Sequence, residues 1–192
     1  MACAAVRDKG LITREKAPWP VPKGLLAHPA LDPYRTLLSK LPRARFPGTG
    51  ELQALIDDRC RTATGHPVTF VPEECLSDGS PDTGYEQEIG RSGRVSTRPH
   101  SLHDLCNALV WAAFPRLKAA MNQRHLEAPP PPGPGSRGPV RDAITGFDEC
   151  GALALCPRRE PLERLARHDW PALFGTNGAA WPIDLTIVIV GH

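Results

Sequence analysis

The longest helical pattern of apolar residues in the chain lies between residues 101 and 125. Its first half is apolar almost all round, which is typical of a helix in a protein interior. Ser101 is followed three residues later by Asp104, a spacing that predicts a capping-box-like start in which the serine hydroxyl accepts a backbone N–H. Pro115 removes one helical hydrogen bond and restricts the residue before it, so we expect the helix to bend there without reversing.

This predicted helix has one purely apolar face and a second face where polar side chains lie among aromatic ones. His103, Asp104 and Asn107 fall on the second face within the first two turns. If the helix is roughly continuous, His103 and His125 are about 33 Å apart at 1.5 Å per residue, too far to share one metal ion. We therefore expect any chemistry at the N-terminal end of the helix.

Shorter patterns before the central helix predict two helices and one strand. Asp32 is a good N-cap for a helix that begins at Pro33 and ends at Pro42. A second helix is predicted over about residues 50–60. The run PVTFVP at 67–72 has the composition of a short strand, and its flanking prolines favour an edge position.

Patterns after the central helix predict mainly β structure. Two β-compatible runs in VRDAITGFDECGALALC predict a hairpin that turns at 148–151, where the glycine suits a type I turn or a bulge. Pro161 opens one further predicted helix. The run IDLTIVIVGH predicts a strand from residue 183 with two apolar faces, which we expect near the centre of a sheet.

These elements predict an α+β fold: a single domain with a mostly buried central helix, three to four short strands and several short helices. Residues 1–30 are rich in proline and predict an extended arm, which leaves 31–192 as the domain. The proline and glycine content of 127–139 predicts an exposed loop within that domain.

Charge and cysteine content narrow the classes of function. Basic and acidic residues number 23 and 21, a net charge of +2, so nucleic acid and anionic membranes are not favoured partners. Apolar runs are far shorter than the roughly 20 residues of a membrane span. The 6 cysteines form no C-x-x-C pair, and the N-terminus lacks the apolar segment of a signal peptide. These features predict a soluble, cytoplasmic protein with reduced thiols.

Three strings in the chain resemble one protein family: HDLCNALVWAAFPRLKAAMN, RDAITGFDECG and IVIVGH. They are similar to a proteobacterial family known only as a domain of unknown function, number 3025, over about residues 20–192. The resemblance implies a bacterial protein and supplies no activity. Chains of that family continue past the final Gly-His pair, so we expect His192 to end either a fragment or a shortened natural version.

The first functional hypothesis is a protein that binds a phosphate-bearing or acidic ligand at the N-terminal end of the central helix. Arg94 and Arg98 lie in a predicted loop at 90–98, just before that helix, where the helix dipole also favours an anion. Asn107, Arg141 and Lys118 are candidates for further contacts. The alternative is a solvated arginine loop, because isolated basic residues usually lie on the surface.

The second hypothesis is a metal-assisted hydrolase that uses His103 and Asp104 as metal ligands or as an acid–base pair. A carboxylate from Asp142, Asp148 or Glu149 would complete the site. No H-E-x-x-H, D-x-D or C-x-x-C motif accompanies these residues, so no metal or cofactor is specified. The competing interpretation is that the polar side chains of the central helix bond to neighbouring backbone groups in the core.

The third hypothesis is a non-catalytic interaction or scaffold protein. Its partner, which the sequence does not specify, would cover the proline-rich loop or the exposed edge of the last strand. Cysteine nucleophile chemistry ranks lowest, because Cys106 lies on the apolar side of the central helix and no basic motif accompanies the other cysteines.

Overall fold

The computed structural model of the chain describes residues 24–75, 84–129, 133, 137–175 and 184–192. The predicted N-terminal arm before residue 24 and most of the proline-rich stretch at 130–136 lie outside the described residues. The same holds for residue 183, where the last strand was expected to begin.

The described part of the chain contains helices and short strands in the order α1 (Arg35–Ser39), α2 (Thr49–Gln53), β1 (Thr69–Pro72), α3 (Gly84–Ser92), β2 (Arg94–Thr97), α4 (Leu102–Ala113), α5 (Pro115–Glu127), α6 (Pro139–Cys150), β3 (Ala152–Leu155), α7 (Arg159–Ala166), α8 (Trp170–Phe174) and β4 (Thr186–Ile189). Three short 3-10 helices accompany them, at Leu25–Ala27, Pro29–Tyr34 and Glu73–Cys75. The predicted α+β class is confirmed. None of these helices is long and apolar enough to cross a membrane.

β1 and β2 form a parallel two-stranded sheet in which Thr69 pairs with Arg94 and Pro72 with Thr97. Because parallel strands need a crossover, α3 lies between them in the chain and the three elements form a β-α-β unit. β1 confirms the strand predicted at 67–72, and in this two-stranded sheet it is an edge strand as expected.

β2 was expected to be part of an arginine-rich loop, and this expectation was wrong. Val95 and Thr97 alternate with more exposed neighbours and are buried, which is the two-residue period of a half-buried strand. Gly93 leads into the strand with φ of 75°. A Cβ at Gly93 would lie 2.1 Å from the carbonyl oxygen of Pro67, so the close approach of the two backbones requires glycine.

α4 lies at the centre of the hydrophobic core, as predicted for a mostly buried helix. Ala108 and Trp111 are 0% and 1% exposed. At its start, the hydroxyl oxygen of Ser101 accepts the backbone N–H of Asp104 at 3.2 Å, which is the expected cap. The core around α4 is completed by apolar side chains from the elements that precede it, among them Tyr34, Leu38, Leu52, Phe70, Ile89 and Val95.

A helix over 101–125 that bends at Pro115 without reversing was expected, but the chain forms two separate helices that meet at Phe114. Phe114 has φ of −131° and ψ of 55°, which is not helical, and Pro115 occupies the first turn of α5, where its missing N–H is not needed. Trp111 and His125 line one small cavity, whereas a continuous straight helix would place them about 21 Å apart. The chain therefore turns sharply here, and the separation of about 33 Å expected for a continuous helix does not apply.

The hairpin predicted around residues 148–151 was wrong, because α6 occupies most of that stretch. Pro139 lies in the first turn of α6, and Val140, Ile144 and Phe147 recur at the helical spacing i, i+4, i+7. All three are partly buried, and α6 packs against α5. Their β-branched and aromatic side chains favour strands in isolation, so packing overrode local preference here.

The last strand was expected near the centre of a sheet, and this too was wrong. Among the described residues β4 pairs with β3 alone, in an antiparallel sheet of two strands in which Leu153 pairs with Val188. Leu155 on β3 is 54% exposed and Ile189 on β4 is 37% exposed. The hydroxyl of Tyr34 donates to the carbonyl oxygen of Ile189 at 2.8 Å, and this bond links the β3–β4 sheet to the N-terminal half of the domain.

Candidate functional site

Asp104, at the start of α4, forms an ion pair with Arg98. Its carboxylate accepts the Arg98 backbone N–H at 2.7 Å, Nε at 3.0 Å and Nη2 at 2.8 Å. Burial alone would raise the pKa of Asp104, but the hydrogen bonds and charge of Arg98 outweigh burial and lower it. Asp104 is therefore an ionised structural group. The structure brings Arg98 and Asp104 together, and the Asp104 carboxylate bonds to Arg98 instead of to the neighbouring His103.

The other predicted ligand-binding arginines also have partners within the chain. Arg94 donates to the carbonyl oxygen of Cys75 and lies 3.7 Å from the carboxylate of Glu88. Arg141 donates to backbone carbonyl oxygens of Ala128 at 2.9 Å and Pro129 at 2.8 Å, beyond the C-terminal end of α5. These two arginines hold the fold together and do not converge on the start of α4.

Asn107 lies on the buried side of α4, where it contacts α3. Its Nδ2 donates to the hydroxyl oxygen of Tyr85 at 3.0 Å. Burial raises the pKa of Tyr85, so its hydroxyl stays protonated. The Oδ1 atom of Asn107 and the Nε1 atom of Trp111, one turn further along α4, are both buried and have no hydrogen-bond partner among the described residues.

Lys118 and Asp148 form a largely buried ion pair between α5 and α6. The Lys118 Nζ atom lies 2.7 Å and 2.9 Å from the two carboxylate oxygens and 5.7 Å from the centre of the Trp111 ring. Burial would raise the pKa of Asp148, but the polar contact with His192 and the charge of Lys118 together lower it to about 2. The carboxylate is therefore ionised over the whole physiological range.

His192 is held beside Asp148 by its own backbone. Its N–H donates to the Asp148 carbonyl oxygen at 3.0 Å, and its Nδ1 lies 3.5 Å from the Asp148 carboxylate. The side-chain contact has the distance of an ion pair but not the geometry of a hydrogen bond, since Nδ1 lacks a bonded partner. Only 3% of the His192 side chain is exposed.

The imidazole of His103 is exposed and lies against that of His192. The two ring centroids are 4.5 Å apart and the rings are inclined by 36°. Partial burial lowers the pKa of His103, and the charge of His192 lowers it further. A neutral imidazole at the surface thus contacts a buried one, which in turn faces an ionised carboxylate.

We call a cluster of six residues from three helices and the segment after β4 the polar seam: His103, Asn107, Trp111, Lys118, Asp148 and His192. Contacts join five of them, and Asn107 lies on α4 one helical turn from both His103 and Trp111. The seam reaches the surface at His103. Its inner part borders a cavity of about 10 Å³, room for roughly one water molecule, which Trp111, Lys118 and Asp148 line together with His125.

Within the ranges that the structure describes, no three His, Cys, Asp or Glu side chains are placed to hold a metal ion. The predicted candidates Asp142 and Glu149 are both exposed. What the seam offers is hydrogen bonding and proton transfer, through two imidazoles and a carboxylate.

The cysteines are free thiols throughout the described ranges. Burial raises the pKa of Cys60 to about 12 and also raises that of Cys106. Since the thiolate is the reactive form, neither thiol is activated at neutral pH. The low rank given to cysteine chemistry agrees with this arrangement.

Sequence reasoning found His103 and Asn107 but missed the partners that define their surroundings. His192 was not selected for the site, Lys118 was named only as a possible addition to the arginines, and Asp148 was named only as one of three carboxylates. Asp148 is 30 residues from Lys118 in the chain, so local spacing carries no signal for this pair. A usable signal for Lys118 was its position on the same predicted face as Trp111.

The fold and the polar seam together describe an α+β protein in which a mostly buried polar cluster reaches the surface at one exposed histidine, His103. The chain belongs to the family DUF3025, described as a protein of unknown function, which it matches over residues 68–192. All six seam residues lie inside the matched range. No curated protein matches the chain, and no solved structure matches it.

Proposed function

We propose that the protein binds a small acidic ligand, one that carries a carboxylate or phosphate group, at the N-terminal end of α4. The observation that carries the proposal is the pair of imidazoles: the ring centroid of exposed His103 lies 4.5 Å from that of buried His192. An acidic group beside His103 would stabilise the protonated form of an imidazole that the free protein keeps neutral.

Two further features of the same surface favour an anion. α4 has 12 residues, and its N-terminal end carries the positive end of the helix dipole. The Arg98 side chain is 52% exposed, so its positive charge reaches solvent next to this helix end although Asp104 partly neutralises it. Exposed His103 and half-exposed Arg98 are the contact residues, and His192 supports His103 from behind.

The proposal predicts a definite pH dependence of binding. Because an anion favours imidazolium over imidazole, ligand affinity should rise as pH falls through the pKa of His103, which lies below its usual value of 6.5. The pKa of His103 should in turn be higher in the bound protein than in the free protein, by linkage.

The test is a titration with inorganic phosphate and, separately, with acetate, followed by the NMR signals of the histidine imidazoles. The expected result is a saturable shift confined to His103 and His192, with an affinity at least tenfold weaker in His103→Gln. His66→Gln is the matched control, because His66 is also exposed but lies outside the seam. Equal shifts in the His103→Gln variant, or shifts spread over all histidines, would contradict the proposal.

General acid–base chemistry is a second candidate function, and the position of Asp148 favours it. A carboxylate 3.5 Å from His192 Nδ1 can stabilise the imidazolium that forms when His192 or its neighbour His103 accepts a proton. Hydrolysis of p-nitrophenyl acetate and p-nitrophenyl phosphate is the direct assay. Turnover that is lost in Asp148→Asn while phosphate binding persists would support this function, and the absence of any turnover would leave binding alone.

A further inference from the structure

The buried polar atoms without a hydrogen-bond partner are concentrated in the polar seam. Within the described residues they are Asn107 Oδ1, Trp111 Nε1 and His192 Nδ1. Asn107 and Trp111 are 5% and 1% exposed, so bulk solvent does not satisfy them. Folded proteins bond the great majority of their buried polar atoms, because an unbonded one typically costs about 1–3 kcal/mol.

We infer that a single hydroxyl group binds between Asn107 and Trp111. The indole Nε1–H is a donor only, and Oδ1 is an acceptor only. A hydroxyl oxygen can accept the first bond and donate its own proton to the second, which satisfies both atoms at once. This inference goes beyond the acidic-ligand site at His103, since it concerns different atoms deeper in the seam.

The spacing of the two residues suits one bridging oxygen. They are four residues apart in α4, so their Cβ atoms are roughly 6 Å apart on one face of the helix. Residues at this spacing are side-chain neighbours, so one oxygen between them can reach both polar atoms.

The available volume limits the group to about the size of water. The cavity that Trp111 lines together with Tyr85, the hydrogen-bond partner of Asn107, measures about 10 Å³, close to the minimum for one water molecule. Two sources supply the same chemistry: a long-lived buried water, or the hydroxyl of a small hydroxy acid whose carboxylate lies near His103. The experiment has one arm for each source.

The first arm examines the ligand-free protein by NMR, through rotating-frame contacts between the Trp111 indole N–H and a slowly exchanging water. The exposed indole of Trp170 is the internal control and should show only exchange with bulk water. A contact at Trp111 that disappears in Asn107→Leu assigns the site to water. A contact that survives in a folded Asn107→Leu variant overturns the bridge.

The second arm compares glycolate with acetate, which differ by one hydroxyl. If the hydroxyl comes from a ligand, glycolate should bind about fivefold more tightly, the effect of one hydrogen bond, and should shift the Trp111 indole signal where acetate does not. If neither a water contact nor a glycolate-specific shift is seen, the inference is wrong. Failure of both anions to bind overturns only the proposed function, because the first arm uses no ligand.

Discussion

The backbone of His192 donates to the carbonyl oxygen of Asp148 at 3.0 Å, and the side chains of the same two residues face each other at 3.5 Å. This double contact places a buried imidazole between an ionised carboxylate and the exposed His103. It exists because the end of β4 packs on the C-terminal turn of α6. Gly191 makes that packing close, since its N–H donates to the Gly151 carbonyl oxygen at 2.8 Å.

Replacement of Gly191 by alanine should separate His192 from Asp148. A Cβ at this position would lie 2.6 Å from the Gly151 nitrogen and 2.7 Å from the Cys150 nitrogen, both backbone atoms that a rotamer change does not move. We expect a loss of about 1–3 kcal/mol in the free energy of unfolding, the range of an overpacked site. Urea denaturation measures it. Gly50→Ala is the matched control, because a Cβ there meets no atom within 4 Å. An unchanged stability for Gly191→Ala would show that β4 does not dock as described.

Removal of Lys118 should destabilise the protein strongly. Lys118 is 6% exposed, so Lys118→Met leaves the Asp148 charge buried without its partner, and we expect a loss of about 3 kcal/mol or more. The double variant Lys118→Met with Asp148→Leu should be more stable than Lys118→Met alone, because no unpaired charge remains. Arg159→Ala in the exposed Arg159–Glu163 pair should leave stability unchanged and serves as the control. A double variant less stable than the single one would contradict this account.

Asp148 should also make stability depend on pH in the acid range. Its pKa is lowered from 3.8 to about 2 in the folded protein, so the unfolded chain takes up the proton first as pH falls. The stabilisation is complete above about pH 5, declines as pH falls through the range from about 4 to 2, and amounts to about 2 kcal/mol. Denaturation between pH 2 and 5 measures it, and Asp148→Asn should lack this part of the decline. Parallel pH curves for the two proteins would contradict it.

The elements that sequence predicted correctly depend on local chemistry. The serine cap at Ser101, the position of the helix interruption at Pro115 and the strand at 67–72 each follow from a few adjacent residues. A serine cap accepts a backbone N–H that has no partner within the helix. A proline has no N–H to donate and so interrupts the helical hydrogen bonds. For the same reason prolines in or beside a strand favour an edge position. Such signals need no knowledge of the rest of the fold.

The elements that sequence missed depend on contacts between distant segments. α6 is helical because Ile144 and Phe147 pack inward with a neighbouring helix, although their local preference is for a strand. The polar seam likewise requires two placements. The turn at Phe114 brings Lys118 close to Asp148, and the docking of β4 brings His192 beside the same carboxylate. None of these placements has a periodic signature in the sequence.

His103 and Asp104 are adjacent in the chain, and the structure predicts opposite consequences for their replacement. Asp104 is 7% exposed and accepts three hydrogen bonds from Arg98, so Asp104→Ala should lower the free energy of unfolding by about 2–3 kcal/mol. His103 is exposed, so His103→Ala should change stability by less than about 0.5 kcal/mol and abolish the phosphate response. Thermal melts and the histidine NMR titration measure the two effects on the same samples. Arg98→Lys, which keeps the charge but not the paired hydrogen bonds, should lose part of the stability that Asp104→Ala loses. A His103→Ala protein that melts several degrees lower and still binds phosphate would assign this histidine to the core and remove it from the site.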